Sequence, residues 1–275
     1  VGKEAALTNT GEREVGNLLQ ITSTKNERIK ALVKLKKKKY REEAGLFLIE
    51  GEKSVGEAIA SGSAISQILL NEEQQEKFAP ILEACDLEKI ELLLCSPHVM
   101  DAVGDAKTSQ GILAVASSAS LNAQIGDGMV VVLEDVADPQ NVGTIIRTAD
   151  AVGAGGVILT AGCADFLSPK AIRASMGSIF HIPIVAEREI SHVLEELKSK
   201  NMTIVAGHLQ GRGGFDFHSD RLAIVVGNES RGVSHTVEQM ADVLYKIPIY
   251  GQAESLNVAV AAGILLYAAR GVISL

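Results

Sequence analysis

Cysteine is scarce in this chain, and its three copies, Cys85, Cys95 and Cys163, are widely spaced with no metal-ligand pattern. That excludes a disulfide-framework fold and a zinc ribbon. It fits buried thiols in a reducing cytosol, with a Cys85–Cys95 bridge as the one pairing to weigh. No apolar run reaches membrane-spanning length and no charged-then-apolar start marks a secretory signal, so a soluble cytoplasmic protein is expected. Tryptophan is absent, which excludes nothing by itself. The common phosphate and metal fingerprints are missing too. Gly153-Ala-Gly-Gly156 has the wrong spacing for a dinucleotide loop and precedes a strand where that loop should follow one. There is no Gly-x4-Gly-Lys-Ser/Thr cradle, no His-Glu-x-x-His and no Gly-x-Ser-x-Gly elbow. The histidines show no ligand spacing, so no metal is expected. Internal repeats and low-complexity tracts are also lacking.

What remains is a globular composition: 275 residues, 47% hydrophobic and 22% charged, enough for two domains. The net charge of −8 argues at first against nucleic acid, but its distribution argues the other way. Between Lys25 and Arg41 stand nine basic residues and one acid, so that segment carries +8 and the rest of the chain −16. Ile29, Leu32, Val33 and Leu35 interleave with the charges, which predicts one amphipathic helix over about 25–43 with a basic outer side. Lys34, Lys36, Lys37, Lys38, Lys39 and Arg41 are its candidate contacts to a nucleic-acid phosphate backbone. A merely solvated face is the competing reading.

The periodicity predicts a loose, flexible leader over 1–20, then a small α/β domain over 21–117. Within that domain strands are expected near 46–50, 65–70, 90–94 and 111–116, with helices near 52–61, 73–84 and 97–103. The small polar stretch 118–128 suits a linker. Residues 129–275 open with Met129–Leu133, a continuous apolar strand of the kind buried on both faces of a parallel sheet. Strands then alternate with helices: 141–152, 156–160, 169–178, 182–185, 190–200, 203–206, 222–226, 234–239, 243–247 and 256–270. That pattern predicts a parallel α/β/α domain with its ligand at the strands' C-terminal ends.

Three segments in that domain carry chemistry. Asp138-Pro-Gln-Asn-Val-Gly143 joins a strand to a helix, and a simple helix cap explains it equally well. Arg147 follows among apolar neighbours, where a buried guanidinium would need a partner; Glu134, Asp135 and Glu229 are the structural candidates. Gly227-Asn-Glu-Ser-Arg-Gly-Val-Ser234 closes a buried strand in a tight polar turn, with Gly227 open to close ligand approach and Glu229 able to accept hydrogen bonds. Lys246-Ile-Pro-Ile-Tyr-Gly-Gln-Ala-Glu-Ser-Leu-Asn257 then delivers Ser255 and Asn257 to a helix start, where free N–H groups can hold a ligand or merely be capped. Gly207-His-Leu-Gln-Gly-Arg-Gly-Gly214 reads as a mobile loop beside the same sheet.

Taken jointly, in this order and spacing, the three segments resemble the motifs of the SpoU-type RNA ribose 2′-O-methyltransferases across 129–270. Lys170-Ala-Ile-Arg-Ala-Ser-Met-Gly177 is similar to a stretch between the first two motifs of that family. Asn26-Glu-Arg-Ile-Lys30 and Phe47-Leu-Ile-Glu-Gly51 resemble its RNA substrate-binding domain, a small ribosomal-protein-like α/β sandwich. The resemblance implies a deep trefoil knot of the SPOUT class, an exception to the unknotted rule. It implies S-adenosylmethionine held by Ala206, Gly207, Gly227, Ile247, Leu256 and Asn257. It implies a homodimer and a catalytic set of Arg147, Asn141, Glu229, Ser255 and Asn257, with Arg173 joining the basic helix on RNA. Ribosomal RNA of the large subunit is the favoured substrate. Transfer RNA, a base methyltransferase, and a non-catalytic RNA-binding protein keeping the fold are the alternatives.

Overall fold

Strands that alternate with helices bury their apolar runs by packing in layers, and this chain does so twice. The computed structural model describes residues 12–15, 18–86, 88–106, 108–121, 123–212 and 221–272. They divide into one unit running to Leu121 and including Leu167–Phe180, and a second of Asn122–Phe166 with His181 onward.

The first unit runs β1 (Glu12–Val15), β2 (Leu18–Ile21), α1 (Glu27–Lys34), α2 (Lys38–Ala44), β3 (Leu46–Glu50), α3 (Glu52–Ala60), β4 (Ile65–Asn71), α4 (Ala79–Glu83), β5 (Glu91–Cys95), α5 (Pro97–Val103) and β6 (Ile112–Ser117). Its sheet is mixed, in the order β1-β2-β5-β4-β6-β3. Alternation along the strands sends Leu48, Leu69, Leu93, Leu113 and Val115 to a core shared with Ile29 and Leu32 of α1 and Val99 and Met100 of α5. Two expectations are corrected here. Residues 12–15 and 18–20, read as leader, are strand, because Leu19 and Ile21 pair with Leu93 and Cys95; residues 1–11 lie outside the described residues. The single basic helix is two helices. The first ends in tight turns from Leu35 to Lys37, and Arg41, 5% exposed, donates to the Leu35 carbonyl at 2.7 Å, satisfying an acceptor the broken helix leaves open.

The second unit runs β7 (Val130–Leu133), α6 (Pro139–Ala151) and β8 (Gly156–Thr160). The chain then gives α7 (Pro169–Ser175) to the first unit, and returns with β9 (Ile184–Arg188), α8 (Ile190–Ser199), β10 (Thr203–Arg212), β11 (Leu222–Val226), α9 (His235–Met240), β12 (Val243–Tyr245) and α10 (Val258–Ala269). Every neighbouring pair in its sheet, β12-β10-β11-β7-β8-β9, is parallel. All four residues of β7 and all five of β11 are buried, as strands covered on both faces must be. Val193, Leu194 and Leu197 of α8 and Val237 of α9 fill one face. Helices α6 and α10 cover the other, against β8, β10 and β11.

The segment containing α7, read as part of the C-terminal domain, packs with the first unit instead. Arg173 explains why: its guanidinium meets the buried Glu50 at 3.6 Å and Asp105 at 3.1 Å. Residues 207–212 continue β10 rather than forming a loop; the remainder of that expected loop lies outside the described residues. All three cysteines are free. No helix among the described residues is long and apolar enough to cross a membrane.

Candidate active site

From β7 the chain builds outward through β8 and β9, then returns to lay β10 and β11 on the other side. The strand order therefore reverses between β7 and β11, whose C-terminal ends lie side by side, and such a switch point opens a crevice for ligand. The two loops leaving these ends are stitched together. Glu134 accepts from the Ser234 N–H at 2.8 Å, and the Asn228 amide donates to the Asp135 carbonyl at 2.9 Å. Asp135 takes a left-handed φ of 55°, held by Thr160, whose hydroxyl accepts from its N–H and donates to its carboxylate. Gly227 proves to be demanded by the loop itself: a Cβ there would meet the backbone of Gly232 at 2.3 Å.

Glu229 closes the stitch. Its carboxylate accepts from the N–H groups of Ala137 and Asp138 and from the Asn141 amide, each at 3.0 Å. Desolvation pushes the carboxyl up, but the bonds from Ala137, Asn141 and Asp138 outweigh it and hold its pKa below the ordinary 4.5. Asn141, 9% exposed, passes the chain onward, its carbonyl oxygen accepting from the Asn257 amide at 3.1 Å. Asn257 caps α10, accepting from Ala259 at 2.9 Å and Val260 at 3.3 Å. The cap of α6 is Asp138, not Asn141, which leaves Asn141 free for this relay.

Helices α6 and α10 consequently start at one point and run parallel. A Cβ on Gly263 would touch Thr148 at 3.8 Å, and Arg270 donates to the carbonyls of Val152 (2.7 Å) and Gly153 at the far end. Both positive helix ends face the Glu229–Asn141–Asn257 node.

Beside the node lies a cleft of about 520 Å³. Of the residues proposed for cofactor, Gly207, Gly227, Ile247 and Leu256 line it, and Glu229 and Ser255 of the catalytic set line it too. Ala206 is wholly buried in β10 and does not, and Asn257 reaches it only through the node. Reasoning from sequence missed His208, Glu238, Arg231, Lys246 and the fully buried Tyr245, all in the walls. Arg231 and Lys246 stand inside the segments 227–234 and 246–257 without having been given a role, and the strand-end position of 207–210 pointed to His208. His208 is tied down: its Nδ1 accepts from the Gln210 N–H at 3.1 Å, so Nε2 carries the proton toward Glu238 at 3.2 Å.

Arg147 departs from expectation. The buried face of α6 is Asn141, Val142, Ile145, Ile146 and Ala149, and the 100° step per residue puts Arg147 with Gln140 and Ala151 on the exposed face. Its apolar neighbours in sequence are not its neighbours in space. The guanidinium is solvent-facing, outside the cleft walls, and the acids expected to pair with it are engaged elsewhere.

In the first unit, Lys34, Lys37, Lys38 and Lys39 are exposed and Lys36 half-buried. Lys38 and Lys39 make long ion pairs with Glu42 (3.6 Å) and Glu43 (3.8 Å), and Lys34 lies over the Tyr40 ring. Such exposed pairs are weak enough to yield to phosphate. Arg41 and Arg173 leave the set of RNA contacts on geometric grounds, one spent on the Leu35 carbonyl and the other on Glu50 and Asp105.

Residues 128–267 match the SpoU rRNA Methylase family, and residues 26–114 match the MRM3-like substrate binding domain. The 23S rRNA (guanosine(2553)-2′-O)-methyltransferase RlmP of Bacillus subtilis is 38% identical over 255 residues, covering 92% of this chain and 99% of its own length. An AdoMet-bound rRNA methyltransferase from Sinorhizobium meliloti superposes with a TM-score of 0.78 at 31% identity, over 94% of this chain and all of the other. The SpoU methyltransferase AviRb from Streptomyces viridochromogenes, solved with AdoMet, gives 0.79 at 27% identity over 89% and 97%.

Proposed function

Because the chain belongs to the SpoU rRNA methylase family, we propose that it transfers a methyl group from S-adenosylmethionine to a ribose 2′-hydroxyl of RNA, with 23S ribosomal RNA as substrate. The observation that carries this reading is the cleft at the β7/β11 switch point, with the Glu229–Asn141–Asn257 relay at its side. Its volume falls within the roughly 300–1,000 Å³ typical of small-molecule sites. Its walls also fit the cofactor: glycines 207 and 227 present backbone, while Ile247 and Leu256 present apolar surface to a purine and ribose.

When bound there, the sulfonium supplies a methyl carbon already activated for displacement. The protein's share is alignment, which can lower such a barrier by about 7–11 kcal/mol in favourable cases. Glu229, ionised and held by three donors, keeps the two loops at one separation. Asn141 holds Asn257, and Asn257 fixes the start of α10 beside the exposed Ser255, which orients the incoming hydroxyl or the cofactor. Arg147 is the hydroxyl-contacting group, its guanidinium donating to the developing alkoxide or to the adjacent phosphate.

A homodimer supports that task. Arg147 lies outside its own cleft, and Val260, Tyr267 and Val272 on and after α10 leave apolar surface uncovered. A second copy on this face would cover that surface and bring Arg147 to the partner's cleft. The trefoil knot is supported by topology: β12 sits at the sheet's outer edge, yet α10 packs on α6 and β11, so the chain must cross back over β10.

The test is transfer of labelled methyl to 23S ribosomal RNA and, in parallel, to transfer RNA. Modification that protects one phosphodiester from alkaline cleavage is expected. Arg147→Ala is expected to lower turnover at least 100-fold, a loss of roughly 2.7 kcal/mol or more in transition-state stabilisation, with cofactor affinity unchanged by calorimetry. Absence of cofactor binding would favour a non-catalytic RNA-binding protein, and an alkali-sensitive product would indicate base methylation.

A further inference from the structure

Two residues, one in the cleft wall and one next in sequence to a wall residue, have no part in the relay. Arg231 lies in the loop between β11 and α9. That loop is stiff: Asn228 and Gly232 exchange backbone hydrogen bonds of 3.0 and 2.9 Å, and the Asn228 side chain accepts from the N–H groups of Ser230 and Arg231. The guanidinium it carries is 74% exposed and meets the Asp135 carboxylate at a long 3.4 Å. An exposed pair of that kind contributes little, so exchanging it for a phosphate costs little, whereas an arginine–phosphate bond is charge-assisted on both sides. Among the described residues, Arg231 and Lys246 are the only arginine or lysine in the cleft walls, against three acids, Glu229, Glu238 and Glu254.

Tyr250 directly follows Ile249, which lines the cleft wall. Tyr250 is 96% exposed, the most exposed of the large hydrophobic side chains described. It sits in a segment, 246–257, otherwise committed to the site through Ile247, Ser255, Leu256 and Asn257. Sequence-specific RNA binding works chiefly on unpaired bases splayed onto aromatic faces, and a ring standing in water next to a cleft-wall residue offers such a face.

We propose that Arg231 and Tyr250 seat the target nucleotide, Arg231 binding the phosphate next to the reacting ribose and Tyr250 stacking on an unpaired base. The assignment rests on the RNA-methyltransferase reading and specifies how that site grips its substrate.

The experiment uses the full chain, a 23S ribosomal RNA transcript and S-adenosylmethionine, with each variant checked for an unchanged melting temperature. Arg231→Ala should raise the KM for RNA about tenfold and reduce the slope of log affinity against log salt by about one, while the Kd for cofactor stays the same. Arg231→Lys should restore part of the loss. Tyr250→Ala should raise the KM for RNA by roughly five- to 150-fold, the range for one lost stack, with the salt slope unchanged. Tyr250→Phe and Tyr250→Trp should restore it. The proposal is overturned if Arg231→Ala weakens cofactor binding and spares RNA, if Tyr250→Ala acts by altering sedimentation, or if neither variant changes RNA affinity. Wild-type protein that binds the transcript but methylates none would sink the functional reading instead, and the RNA-affinity arms would still judge the pair.

Discussion

A carboxylate can fold a site as well as serve it, and Glu229 shows how. Its three hydrogen bonds span 88 to 92 residues of sequence, joining the end of β11 to the start of α6. Because its folded pKa is below 4.5, it contributes stability that is present above that value and lost as pH falls through the lowered one. Glu229→Gln should therefore cost about 1 kcal/mol near neutral pH, the modest figure for an exposed, water-screened group. Below pH 4.5 the gap between variant and wild type should narrow. Urea unfolding at pH 7 and pH 3.5 checks it, and a gap that widens in acid would refute the sign. Glu229, Asn141 and Asn257 were legible as a set in the motifs. Their bonding order was not, because spacing along a chain does not say which amide turns to which oxygen.

At the scale of elements, the basic segment separates what composition can and cannot show. Its charge density is plain in the sequence, but the break at 35–37 and the use of Arg41 to satisfy the Leu35 carbonyl left open there are not. A run of cations thus contains one structural arginine and several exposed lysines. Arg41→Ala should lower stability by about 1–3 kcal/mol, the cost of an unmet buried acceptor, and leave the salt dependence of RNA binding unchanged in folded protein. The triple change Lys36→Ala, Lys37→Ala, Lys39→Ala should leave stability within about 0.5 kcal/mol and reduce the salt slope by about one for each phosphate no longer held. Denaturant titration alongside filter binding distinguishes the two. Equal salt slopes for wild type and triple variant would mark the lysines as a solvated face.

For the whole molecule, the proposed dimer contact on the outward face of α6 and α10 would decide where Arg147 acts. If two copies meet there, Tyr267→Glu should dissociate the dimer in analytical ultracentrifugation and abolish methyl transfer, while each monomer keeps its cleft and its cofactor affinity. Wild-type protein sedimenting as an active monomer would remove the second copy from the mechanism. Nothing in the intrachain relay depends on that outcome, since Glu229, Asn141 and Asn257 are bonded within one chain.

Local pattern determined the rest of the reading to an uneven degree. Apolar runs such as Val130–Leu133 and Leu222–Val226 declare buried parallel strands by themselves, because both faces must be covered whatever the connection. Motif order put the candidate segments at strand ends, where an open parallel sheet offers its ligand crevice. Strand order, the loan of α7 to the first unit and the burial of Arg41 were decided only in three dimensions. Each depends on which distant surface an element meets, and a one-dimensional pattern records the kind of surface offered but never the partner that covers it.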